Sequence, residues 1–324
     1  MTPKKDLFLQ ALRGLAIASV VMIHCLPSEA WVVGVRPFLN FAVALFIFLS
    51  GYLTPKRKVA DIHSFYRKRI GKIIIPYSLW TLFYLSARGV FVPATVLLAF
   101  FTGDAAAQLY YLIVYLQLVL LTPLFYRLLA YPVARVLLYA VTPIALLIRY
   151  GLSLVSVSIP IQAFFGFWLI FYLLGLEWRS RISPWLDSKG VATPQAVVIF
   201  VVCIALQEAE GFLWLSLGNF DLATTQLKTT SALSSIAVIA VFMRLKDRTP
   251  HWLEVCRPLT RLGDVSFGVY LCHMAPVMLW GILLPEDGLL LAIARWAVSL
   301  VVSTAMTMAL HRVLPRKISV AIGF

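Results

Sequence analysis

Apolar stretches of about twenty residues recur along almost the whole chain, divided by short polar loops, and that spacing leaves little room for any fold but a bundle of membrane-crossing helices. A hydrocarbon core about 30 Å thick is spanned by about 20 residues rising about 1.5 Å each. Windows of that length predict about ten helices, near 8–27, 35–53, 73–92, 108–129, 133–150, 159–176, 191–214, 226–243, 265–284 and 288–311. The run 93–101 is too short to span and is expected at the interface or as an extension of a neighbour. Composition agrees, with 61% hydrophobic and only 13% charged residues, where a soluble domain carries roughly a quarter charged. The expected fold is all-α, a polytopic transmembrane bundle with both termini cytoplasmic. Residues 1–324 are expected to form a single membrane domain with no appended soluble domain.

Basic residues orient that bundle. With the amino terminus inside, Lys4, Lys5, the loop Lys56 to Lys72, Arg127, Arg135, Arg179, Arg181, Lys189, Arg244, Lys246, Arg248, Arg257, Arg261, Arg312, Arg316 and Lys317 all fall on the cytoplasmic side. Arg36, Arg88, Arg149, Lys228 and Arg295 fall outside. The formal charge of +14 is thereby concentrated on one face, and topology rather than nucleic-acid binding accounts for it. The first segment is expected to be retained, because 27-PSEA-30 is a poor cleavage site for a signal peptide. Cysteines 25, 203, 256 and 272 have no metal-ligand spacing, so reduced thiols and no metal are expected.

Two ionisable residues inside the first span demand an explanation. Arg13 and His24 are eleven positions apart, which at about 100° per residue puts both on one helix face, roughly 16 Å apart along the axis. Charge within a bilayer is costly and marks a candidate functional site. The plain structural reading is a snorkelling Arg13 and a His24 satisfied by a backbone carbonyl. Arg67-Lys68-Arg69 and Lys72 form a second basic group beside the membrane. Arg69 and Lys72 share a helix face suited to a polyphosphate, or to anionic headgroups. Glu208 and Glu210 either bind acceptor hydroxyls or reach the interface; Tyr110, Tyr111, Tyr115 and Gln117 either line a polar path or sit at an interface. His273 is open between a structural hydrogen bond and a substrate contact. Ser50-Gly51 reads as a helix ending rather than a nucleophile.

Taken in order, several motifs resemble the acyltransferase 3 family of integral-membrane O-acyltransferases. Leu12-Arg13-Gly14 followed by His24 is similar to the family's Arg, ten residues, His signature. Residues 46–53, FIFLSGYL, resemble its FFxLSGYL ending; 65–77, FYRKRIGKIIIPY, resemble its basic re-entry; 262–273, LGDVSFGVYLCH, resemble its late LGxxSYxxYLxH motif. Lys72 stands where Arg is usual, Gln108 replaces a frequent His, and 311-HRVLP-315 lacks an acidic residue.

The resemblance implies transfer of an acyl group, most often acetyl, from cytoplasmic acyl-CoA to a hydroxyl of a glycan or lipid-linked acceptor, in a bacterial inner or plasma membrane. Acyl-CoA would be a donor substrate, with no permanently bound cofactor. Arg67, Arg69 and Lys72 would hold its phosphates, Arg13 would guide its arm, and His24 would act as general base or carry the acyl group. Glu208, Glu210, Tyr110 and His273 are the candidate acceptor contacts. The competing function is a multi-spanning transporter or export partner for a polysaccharide or lipid-linked sugar; the chain shows no internal repeat of the kind paired transporter halves carry.

Overall fold

The computed structural model describes residues 5–56, 59–155, 162–248, 256–283 and 288–324. In chain order its helices are α1 (Leu7–Cys25), α2 (Val32–Tyr52), α3 (Ile62–Ala87), the short α4 (Pro93–Thr102), α5 (Tyr110–Leu128), α6 (Pro132–Leu154), the short α7 (Leu169–Glu177), α8 (Thr193–Ser216), α9 (Phe220–Lys246), the short α10 (Arg257–Asp264), α11 (Ser266–Leu283), α12 (Leu289–Val313) and a terminal α13 (Arg316–Ala321). Among the described residues nine helices are long and apolar enough to cross a membrane, and no strand is present. The chain is an all-α polytopic bundle. The expected positions of Lys4, Arg57, Lys58, residues 159–161 and residue 284 lie outside the described residues.

Helix α1 starts where Asp6 accepts a hydrogen bond from the Leu9 amide (3.1 Å), capping the first turn. It runs through the centre of the bundle against α2, α10, α11 and α12. The approach to α10 is backbone on backbone: a Cβ on Gly14 would run into the Leu259 carbonyl, and one on Gly263 into that of Gln10. Small residues permit such contact between membrane helices, where dispersion and not the hydrophobic effect drives packing. The Trp296 indole fastens α12 to α1 by donating to the Ala18 carbonyl (2.9 Å). At the basic end, ion pairs Lys5 to Asp264 (2.5 Å), Lys246 to Asp6 (3.0 Å) and Arg244 to Asp187 (2.6 Å) tie neighbouring elements together.

The span expected near 159–176 is not one regular helix. It proceeds as a 3-10 turn Phe165–Phe167, then α7, then a π-helical turn Trp178–Ile182 and a short helix Ser183–Ser188. Its apolar residues are buried on every side rather than along one stripe, and Gly175 lies so close to α2 that a Cβ there would meet the Phe48 carbonyl. Hydropathy alone reads such a segment as lipid-facing; packing makes it the bundle's interior. The run 93–101 becomes α4, a separate helix pinned by the Tyr77 hydroxyl, which donates to the carbonyls of Ala99 (3.2 Å) and Phe100 (2.8 Å).

Three spans are interrupted within their length. Helix α2 passes through a 3-10 turn at Arg36–Phe38, α9 opens at residues 225–228, and α11 breaks at His273. Irregular backbone in a bilayer survives only where protein or a water-filled cavity satisfies it. Here the breaks in α2 and α9 meet. The Arg36 Nε donates to the Thr224 carbonyl (3.0 Å), and the Asn40 amide reaches the carbonyls of Thr224 (3.3 Å) and Thr225 (3.4 Å).

Candidate active site

Two cavities lie along the polar face of α1. The first, of about 310 Å³, contains Arg13 together with Lys68, Arg69 and Lys72 from α3, and is closed by Ser50, Tyr111, Tyr115, Asp264, Ser266 and Tyr270 among others. The second, of about 260 Å³, contains His24 with Arg36, Gln108, Tyr110, Gln162, Asp221, Thr224, Thr225 and Gln226. Tyr111 and Tyr270 line both. The basic cavity belongs to the cytoplasmic side by the positive-inside rule, so the His24 cavity lies toward the outer side.

Helical period explains which basic residues reach the inner cavity. Lys68 and Lys72 are four apart and Arg69 and Lys72 three apart, so all three share a face. Arg67 is two positions from Arg69 and turns about 200° away; it is not among the cavity's lining residues. Of the expected trio Arg67, Arg69 and Lys72, the structure brings Arg69 and Lys72 to this cavity together with Lys68, and leaves Arg67 outside its lining. Arg69 is held by the Tyr115 hydroxyl (3.4 Å) and by the Phe65 ring, 5.0 Å from its guanidinium carbon. The Arg13 side chain makes no hydrogen bond or ion pair among the described residues, and it lines the cavity.

His24 is half-buried and makes no hydrogen bond among the described residues; its ring packs on that of His273 at 5.4 Å between centroids. The carbonyl-satisfied reading thus applies to His273, not to His24. His273 is fully buried at the break in α11, its Nδ1 donating toward the carbonyls of Tyr270 (2.8 Å) and Val269 (3.1 Å). That bond leaves Nε2 as a lone-pair acceptor without a partner. His273 lines neither cavity and packs against His24.

Of the other expected contacts, Tyr110 lines the His24 cavity, its hydroxyl accepting from the Gln226 amide (2.8 Å). Glu208 and Glu210 line neither cavity. Glu210 is engaged internally, accepting from the Tyr150 hydroxyl (2.5 Å), the Trp214 indole (3.2 Å) and the Thr230 hydroxyl. Beside it the fully buried Lys228 donates to the Ala223 carbonyl (2.8 Å) at the α9 break. This carboxylate therefore joins α6, α8 and α9. Ser50 donates to the Phe46 carbonyl (2.9 Å) as a helical serine does. Cys25 is buried on the α12 side of α1 beside Ser299, away from the cavities.

Sequence reasoning missed Arg36, Asp221 and the 224–226 stretch as site residues. The available signal was a charge followed by Pro37 inside an apolar window, which breaks the helix where a polar group must be accommodated.

No curated protein and no solved structure matches the chain. The family model described as an acyltransferase domain matches residues 6–312, a stretch that begins at the cap of α1 and ends in the last turn of α12, and so includes both cavities and every span between them. Interrupted spans alone would also suit a transporter, but a match of that extent decides the matter: the chain belongs to the acyltransferase 3 family of membrane acyltransferases.

Proposed function

We propose that this protein transfers an acyl group, most simply acetyl, from cytoplasmic acyl-CoA to a hydroxyl of a glycan or lipid-linked sugar presented at the outer side of a bacterial inner membrane. The observation that carries the proposal is the sharing of one helix face by Arg13 and His24, each opening into its own cavity, with Tyr111 and Tyr270 common to both. Lys68, Arg69, Lys72 and Arg13 supply the charge that the phosphates of CoA require. The pantetheine arm then runs past the two tyrosines and brings the thioester to His24.

At His24 a neutral imidazole nitrogen takes the proton of the acceptor hydroxyl as that oxygen attacks the thioester carbonyl. A tetrahedral oxyanion forms, the carbon–sulfur bond breaks, and the thiolate leaves on the cytoplasmic side, taking up the proton that His24 received. Arg36 and the polar 224–226 stretch, which line the same cavity, hold the acceptor.

Purified protein in detergent tests this with acetyl-CoA and a glycan acceptor. His24→Ala is expected to lose about 10²- to 10⁴-fold in turnover while CoA binding persists, and Arg13→Ala is expected to weaken CoA binding. A folded wild-type protein that neither binds CoA nor turns it over would reject the reading. Isolation of an acylated His24 without acceptor would replace the general base with a covalent carrier.

A further inference from the structure

A third cavity, of about 360 Å³, lies at the basic end of the bundle, and none of its lining residues lines the donor cavity of Arg13. It forms where α2 and α5 end, α6 begins and α7 passes into its π-helical turn. Four cations surround it, Lys56, Arg135, Arg179 and Arg181, against one carboxylate, Glu177.

We propose that this cavity binds the phosphate headgroup of an anionic lipid from the cytoplasmic leaflet. Glu177 offsets only one of the four positive charges, and two of the cations share it. The Nε atoms of Arg135 (3.3 Å) and Arg181 (3.4 Å) converge on its Oε1, and the Tyr139 hydroxyl donates to Oε2 (3.1 Å). The Lys56 side chain has no ion pair or hydrogen bond among the described residues, and the Arg179 guanidinium lies over the Tyr52 ring at 4.3 Å without a carboxylate. The surplus positive charge faces a cavity rather than dispersing into solvent.

The backbone is arranged around it. Arg179 and Arg181 both sit on the turn Trp178–Ile182, and π-helical turns are rare and recur at functional sites. Nearby surface points to lipid as the source of the phosphate. Tyr131, Val133, Val136 and Leu137 at the start of α6 are more than half exposed, as is Trp185 just beyond the π turn. Aromatic residues in such positions mark the headgroup level of a membrane, and arginine forks match phosphate oxygens two at a time.

The test uses the full chain in zwitterionic detergent, titrated with short-chain phosphatidylglycerol or phosphatidylcholine and read by melting temperature and native mass spectrometry. Phosphatidylglycerol is expected to bind saturably and raise the melting temperature, and phosphatidylcholine to do neither. Lys56→Gln with Arg179→Gln, which spares the Glu177 ion pairs, is expected to weaken phosphatidylglycerol binding at least tenfold. Lys189→Gln with Arg257→Gln removes the same charge elsewhere on that face and is expected to change it little. Equal loss in both double variants, or in neither, would overturn the proposal. Displacement of the lipid by CoA, with a raised KM for acyl-CoA in the Lys56 and Arg179 variant, would also overturn it and assign the cavity to the donor.

Discussion

Tyr111 and Tyr270 meet at 5.3 Å between ring centroids and line both the Arg13 cavity and the His24 cavity, so the two rings form the partition between them, which the thioester of the proposed reaction would have to pass. Tyr270 is held by donating its hydroxyl to the Gln108 carbonyl. Tyr111 is held by stacking, on Tyr115 at 6.1 Å.

A partition made of one anchored and one stacked ring predicts uncoupling when the stacked ring is removed. Tyr111→Ala is expected to raise acceptor-independent hydrolysis of acyl-CoA several-fold and to lower transfer, because water then reaches the thioester from the inner cavity. Tyr111→Phe keeps the ring and is expected to stay coupled. The ratio of CoA released to acyl transferred reads the outcome, and a ratio unchanged in the alanine variant refutes the partition.

Arg67 and Arg69 are two residues apart, yet only Arg69 lines the Arg13 cavity, to which the proposal assigns the donor. Arg69→Ala and Lys72→Ala are therefore expected to raise the KM for acyl-CoA about tenfold or more, with an effect that shrinks as salt screens it. Arg67→Ala is expected to leave KM within about twofold, since an exposed charge away from the ligand contributes little. A comparable rise for Arg67→Ala would mean that general attraction, not the face of α3, captures the donor.

Glu210 ties α6, α8 and α9 through Tyr150, Trp214 and Thr230. Glu210→Gln is expected to lower the melting temperature, since charge-assisted hydrogen bonds are stronger than neutral ones, while leaving the KM for acceptor unchanged. Acceptor titrations on the folded fraction check this; a raised acceptor KM at unchanged stability would restore Glu210 to the acceptor site.

At the crossing of α2 and α7, Gly51 and Gly175 each leave no room for a Cβ, which would strike the carbonyls of Tyr172 and Phe48. Gly175→Ala is expected to separate the two helices and lose most folded protein on detergent extraction, measured by size-exclusion monodispersity. Gly151→Ala, on α6 with open space around its Cβ position, is expected to be tolerated.

What the sequence by itself determined follows from local physics. The length and apolarity of the spans dictate a membrane bundle, because a bilayer leaves no other way to satisfy the backbone. Basic loops set its orientation, and helical period alone aligned Arg13 with His24. The tertiary structure decided what depends on distant partners. Arg36 becomes a cavity residue because it meets Thr224, 188 positions along the chain, and Glu210 becomes a structural tie because α6 and α9 bring it a hydroxyl each. His273 packs against His24 through a break in α11 that hydropathy does not register. A buried polar group takes its role from whichever donor or acceptor the fold brings within about 3 Å, and such pairings across a bundle leave no periodic trace in the chain.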